Sequence, residues 1–119
     1  MSLTISQRDT TTGPVLHVAG DLDFEHAPDL RRHLDRLSLR EHQCLVIDLS
    51  DLRFCDSSGI TALLAARRHA QAAGADIVLA AVPANTLRVL AVVGLDQVFT
   101  IRSGSAGAGR PAGEPPGDG

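Results

Sequence analysis

Two short apolar runs, Leu45 to Leu49 and Ile77 to Val82, stand on either side of a long stretch, Asp56 to Ala73, whose apolar side chains recur at helical spacing. Short apolar runs of this kind, the first broken only by Asp48, read as strands buried on both faces. A helix between two such strands is the crossover that a parallel pair requires. This one feature confines the chain to an α/β layer fold.

The rest of the pattern agrees. Leu3 and Ile5 alternate with polar residues, and Gly13-Pro14 is read as a turn into Val15, Leu16, Val18 and Ala19, giving an edge hairpin. Asp21 to His26 is read as a polar loop, with Pro28 as the first residue of a helix. Leu30, Leu34 and Leu37 make that helix's apolar stripe, with Arg31, Arg32, Asp35 and Arg36 outside it. In the long helix the stripe is Gly59, Leu63, Ala66, Ala70 and Ala73, widened by Ile60 and Leu64, and Gly74 ends it. Pro83 stops the Ile77 run. Asn85 is expected to cap a third helix with Leu87, Leu90 and Ala91 inward, closed by Gly94, before a last strand holding Val98, Phe99 and Ile101. The fold class is therefore α/β: a single domain in the order β-β-α-β-α-β-α-β, with a mixed, mostly parallel sheet, an N-terminal hairpin and three to four helices.

Composition sets the domain's end. Ser103 to Gly119 holds six of the 11 glycines and three of the six prolines, and no apolar residue larger than alanine. Such a segment cannot bury enough surface to offset its backbone entropy, so residues 103–119 are expected to be a disordered tail on a 1–102 domain.

Charge and motifs exclude several functions. The net charge is −3, and all 11 cations are arginines, clustered no further than Arg31-Arg32 and Arg67-Arg68. That balance argues against nucleic-acid binding and a polybasic membrane anchor. The longest apolar run falls far short of the ~20 residues that span a bilayer, and the N-terminus shows no leader. Cys44 and Cys55 have neither metal-ligand nor disulfide-scaffold spacing. A cytoplasmic protein without cofactor or metal is expected, its thiols acting as small buried hydrophobes. A hydrolase reading would pair Ser57 with His26 or His69, but Cys55-Asp56-Ser57-Ser58-Gly59 lacks the first glycine of the nucleophile elbow. The helical histidines, His33 and His69, fall among polar neighbours and are read as solvated. A nucleotide site would need a phosphate-binding loop with its lysine, and the chain has no lysine.

What remains is the junction where a central strand turns into the long helix. Asp48-Leu49-Ser50-Asp51 leaves the strand, Leu52-Arg53-Phe54-Cys55 bridges, and Asp56-Ser57-Ser58-Gly59 opens the helix. Functional groups in open α/β sheets gather at the carboxyl ends of strands. Asp56, Ser57 or Ser58 can equally cap the helix by accepting from its orphan N–H groups.

Gly20-Asp21-Leu22-Asp23, Asp48-Leu49-Ser50 and Phe54-Cys55-Asp56-Ser57-Ser58-Gly59-Ile60, with Gly94-Leu95-Asp96 near the end, resemble the STAS domain of bacterial anti-sigma-factor antagonists. The resemblance covers Leu3 to Ile101. It implies that Ser57 is phosphorylated by an anti-sigma factor that is itself a serine kinase of the histidine-kinase-like ATPase type. It also implies that the unmodified protein captures that kinase and frees the sigma factor, and that a PP2C-type phosphatase resets the cycle. Asp21, Asp23, Asp56, Ser57, Ser58, Gly59 and Ile60 become the expected partner-binding residues, in a monomer or weak dimer. Ser58 is expected to cap the helix or assist the loop. Ile60-Thr61 departs from the Leu-Gly that antagonists often carry there, which bears on partner specificity. The family also includes sulfate-transporter domains, stressosome scaffolds and lipid-transport accessory subunits, which are alternatives without phospho-control.

A phosphate on Ser57 would bring roughly −1.5 to −2 charge to a helix N-terminus, where it is expected to find free N–H groups. The fold should survive, and the effect should fall on the partner, reinforced by an acidic rim of Asp23, Asp51 and Asp56.

Overall fold

The computed structural model describes residues 2–102, so the expected tail at 103–119 lies outside the described residues. Six strands form one sheet: β1 (Leu3–Thr10), β2 (Gly13–Leu22), β3 (Cys44–Asp48), β4 (Leu52–Cys55), β5 (Asp76–Ala80) and β6 (Thr100–Arg102). Three helices connect them, α1 (Ala27–Asp35), α2 (Ser57–Ala72) and α3 (Ala84–Val92), with a single 3-10 turn at Leu95–Gln97. The sheet runs β1-β2-β3-β5-β6, and β4 adds to β2. Only β1 is antiparallel; every other pairing is parallel.

The α/β class, the hairpin and the mostly parallel sheet are as the sequence predicts. Four details differ. The hairpin turns at Thr11-Thr12, and Gly13-Pro14 already belongs to β2, paired with Thr10 and Asp9. Of the hairpin's two strands only β1 lies at the sheet edge, because β2 is central and feeds two parallel partners: Val15 to His17 pair with β3, and Gly20 to Leu22 pair with β4. The expected bridge Leu52–Cys55 is itself that β4 strand, so the order is β-β-α-β-β-α-β-α-β. Asp21 lies in β2, buried, rather than in a loop. β2 changes partners between His17 and Gly20, and its ladder with β4 then carries a register shift between Gly20 and Asp21.

The core forms between the sheet and its helices. Leu16, Val18 and Leu22 of β2 and Leu45 and Ile47 of β3 meet Leu30 and Leu34 of α1 and Ile60, Leu63 and Ala66 of α2 in one buried cluster. Each fully buried leucine contributes on the order of 2 kcal/mol relative to exposure. On the opposite sheet face Val15, Val46 and Ala80 form a smaller cluster, so β3 is buried on both faces as its apolar run requires.

The stripe read on α2 is the buried one, apart from Leu64, which is half-buried, and Ala73, which is the C-cap and half-buried, and Gly74 follows at φ +73°. In α3 the inward residues are Thr86 and Leu90, whereas Leu87 and Ala91 are exposed. Its N-cap is Pro83, and the Asn85 side chain accepts only from the Thr86 N–H. Val98 is exposed and Phe99, which is buried, precedes the last strand instead of lying in it.

Candidate functional site

Two chain segments meet at the carboxyl ends of β2 and β4: the β2–α1 connection and the start of α2. Asp56 joins them. Its backbone is extended (φ −99°, ψ −170°), the conformation an N-cap needs. Oδ1 accepts from the N–H groups of Ser58 at 2.8 Å and Gly59 at 3.1 Å. Oδ2 accepts from the Phe24 N–H at 3.3 Å. The Asp56 N–H donates to the Leu22 carbonyl at 3.3 Å, and its carbonyl accepts from Ile60 at 3.0 Å. One carboxylate therefore caps α2 and ties down the neighbouring loop.

Ser57 is the first residue of α2 and is exposed, while Ser58 is half-buried. The cap is Asp56, not Ser58. The reason is geometric: Ser57 and Ser58 are already helical, and only the residue before them has the extended backbone that turns its side chain onto the first-turn donors. This also corrects the expectation that a phosphate on Ser57 would meet free N–H groups. Those of Ser58 and Gly59 are taken by Asp56, which leaves Ser57's own. A phosphate there would project outward beside the Asp56 carboxylate, still aided by the helix dipole.

Gly59 and Ile60 are buried on the sheet side. A Cβ on Gly59 would sit 2.3 Å from the Leu22 carbonyl oxygen and 2.7 Å from Cys55 Sγ, so glycine is what lets α2 begin against β2 and β4. Cys55 lies beneath this start. Burial, reinforced by the negative charge of Asp56, pushes its thiol up to about 12. Both cysteines are free, Cys55 buried and Cys44 half-buried.

The expected acidic rim is only partly gathered. Asp23 closes its own turn: Oδ1 pairs with His26 Nδ1 at 2.8 Å and accepts from the His26 N–H at 3.0 Å, while its carbonyl accepts from Ala27 at 2.7 Å. Burial pushes this carboxyl up, but the hydrogen bonds and charge of His26 outweigh that and hold it below the ordinary 3.8. Asp23 and Asp56 are thus on adjoining segments, joined through Phe24. Asp51 is drawn away to His17 Nε2, at 2.8 Å. Asp21 is buried beside β4, with Arg53 at 3.4 Å.

The histidines do not form a catalytic pair with Ser57. His26 is engaged by Asp23, and His69 Nε2, near the far end of α2, donates to the Leu37 carbonyl at 3.0 Å. His33 meets Gln7 Oε1 at 2.9 Å, so neither helical histidine is simply solvated. Sequence reasoning passed over Phe24 and Phe54, both exposed next to these loops. The signal was present in two aromatics flanking the polar motifs of a chain that has only three.

The sequence model described as "Mlab, STAS domain" matches residues 5–102. The chain belongs to the STAS domain family. It is 26% identical over 103 residues to the anti-sigma-B factor antagonist of Listeria monocytogenes, covering 87% of this chain and 90% of the relative. A STAS-domain containing protein of Pseudomonas aeruginosa is 30% identical over 86 residues, covering 72% of this chain and 84% of the relative. Among solved structures, an anti-sigma factor antagonist from Mycobacterium paratuberculosis superposes with a TM-score of 0.71 at 28% identity, covering 85% of this chain and 86% of that one. No helix among the described residues is long and apolar enough to cross a membrane.

Proposed function

We propose that this STAS domain is an anti-sigma-factor antagonist switched by phosphorylation at Ser57. The observation that carries the reading is the exposed Ser57 at the first position of a helix whose cap is already satisfied by Asp56. Its hydroxyl can be modified without taking a hydrogen bond from the fold. Relatives described as antagonists support the choice of partner class, an anti-sigma factor.

In this reading the anti-sigma factor is a serine kinase of the histidine-kinase-like ATPase type. Ser57 Oγ attacks the γ-phosphorus of ATP, ADP leaves, and the proton passes to the kinase's base. The chain itself supplies a substrate hydroxyl and no catalytic group. Unmodified, it holds the kinase and frees the sigma factor; a PP2C-type phosphatase restores that state. A dianion pressed unpaired into the interface, next to Asp56, costs about 2–5 kcal/mol, or roughly 30- to several-thousand-fold in affinity. Exclusion of the partner, with the fold unchanged, is the switch.

Incubating the protein with ATP and each anti-sigma kinase of its source genome should place one phosphate, at Ser57, and Ser57→Ala should abolish it. Ser57→Asp should weaken kinase binding while circular dichroism and melting midpoint stay at wild-type values. Equal binding by wild type and Ser57→Asp would overturn the switch. One observation favours a second reading, an accessory or scaffold subunit that binds constitutively: the family description matched over residues 5–102 is not that of an antagonist. Such a subunit would hold its partner equally with or without a charge at Ser57.

A further inference from the structure

The chain has three phenylalanines and neither tryptophan nor tyrosine. Phe99 is in the core, yet Phe24 is 80% exposed and Phe54 49% exposed. Keeping a scarce aromatic in water forfeits its burial free energy, and aromatic side chains, phenylalanine included, are enriched at protein interfaces. Phe24 lies in the turn bonded to Asp56, and Phe54 lies two residues before Asp56, so both flank the residue that caps α2.

Their placement says which partner covers them. The Phe24 N–H donates to Asp56 Oδ2, the carboxylate whose other oxygen caps the helix that starts with Ser57. The Asp23–His26 contact closes the same turn. Phe54 sits in β4 opposite Asp21 of β2, three residues before Ser57. Both backbones are held by hydrogen bonds, so little ordering entropy is lost when the rings are covered.

We infer that Phe24 and Phe54 are the apolar anchors by which the anti-sigma factor grips the unmodified protein. This rests on the switch proposed above and adds which side chains carry the affinity. The surroundings define the complementary surface. Asp23, Glu25 and Asp56 lie in or against the Phe24 turn, while Asp21 is already met by Arg53. A covering partner must offer apolar pockets for two rings and cationic groups at their rim. The exposed Val92 of α3 and its C-cap Val93 make another apolar patch, but among the described residues no hydrogen bond ties that helix to the Ser57 segment.

The test is calorimetric titration of the whole, unphosphorylated chain with each purified anti-sigma kinase of the source genome. Phe24→Ala and Phe54→Ala should each weaken binding roughly 30-fold or more. Phe24→Ala should keep the wild-type melting midpoint because its ring is solvated, whereas Phe54 is only 49% exposed and its truncation should lower the midpoint. Phe54→Leu, which keeps apolar volume in the strand, should still bind more weakly. Wild-type affinity in the phenylalanine variants, alongside loss of binding in Ser57→Asp, overturns the anchor assignment and leaves the switch standing. Failure of the wild type to bind any of these kinases removes the switch itself.

Discussion

Asp56 shows how much one side chain can organise. It serves Ser58, Gly59 and Phe24 through two oxygens, joining the start of α2 to the turn after β2. The sequence presents three adjacent cap candidates, and nothing in their chemistry ranks them, since aspartate and serine both cap well. The choice comes from backbone conformation, which the chain acquires only when β4 hands over to the helix. Asp23 carries a prediction at this scale. The His26 contacts favour its ionised form, so their stabilisation is full above pH 3.8 and is lost as pH falls through the lower folded value. A carbon-13 NMR titration of the Asp23 carboxyl should give a midpoint below 3.8, returning toward it in His26→Ala. A midpoint at or above 3.8 in the wild type would contradict the pairing.

At the scale of elements, the long helix was legible because Gly59, Leu63, Ala66 and Ala70 recur at helical spacing, although Ala62, off that stripe, is buried with them. Gly59, Ala66 and Ala70 are buried where the spacing put them. α3 was not, since Leu87, Val89, Leu90, Ala91 and Val92 offer more than one apolar stripe; packing chose the face that carries Thr86 and Leu90. β4 escaped notice for a related reason. Its burial runs buried, exposed, exposed, buried, without the alternation that reveals a strand, and it exists because β2 extends past its last pair with β3, His17–Asp48, and offers Gly20 to Leu22 to a second partner. Gly59 carries the prediction here. Alanine has the higher helix propensity by about 1 kcal/mol, but its Cβ would strike the Leu22 carbonyl and Cys55 Sγ. Overpacking of this kind costs about 1–3 kcal/mol, so Gly59→Ala should lower the thermal midpoint by several degrees. An unchanged or higher midpoint would mean that α2 can withdraw from the sheet freely.

Taken whole, the molecule is a sheet with its main core under the helices and a smaller apolar cluster on the other face, and its two thiols report on the two sides. Cys55 belongs to the main core and Cys44 packs against the smaller cluster. Held near 12 by burial and by Asp56, Cys55 keeps its proton when folded, so this group makes folding less favourable as pH rises above 9.0. With Ellman's reagent at pH 8, Cys55 should react only at the rate of global unfolding, and both cysteines should titrate at once in denaturant. Reaction of Cys55 in the native protein at the rate of a free thiol would place it outside the core. The chain alone determined the layer architecture, the parallel sheet and the prominence of Ser57, because apolar periodicity and strand–helix junctions are local properties of sequence. Tertiary contact decided the helix cap, the partners of β2, the inward face of α3 and the exposure of Phe24 and Phe54. Each of these depends on which distant atoms come within a few ångströms, and no spacing along the chain encodes that.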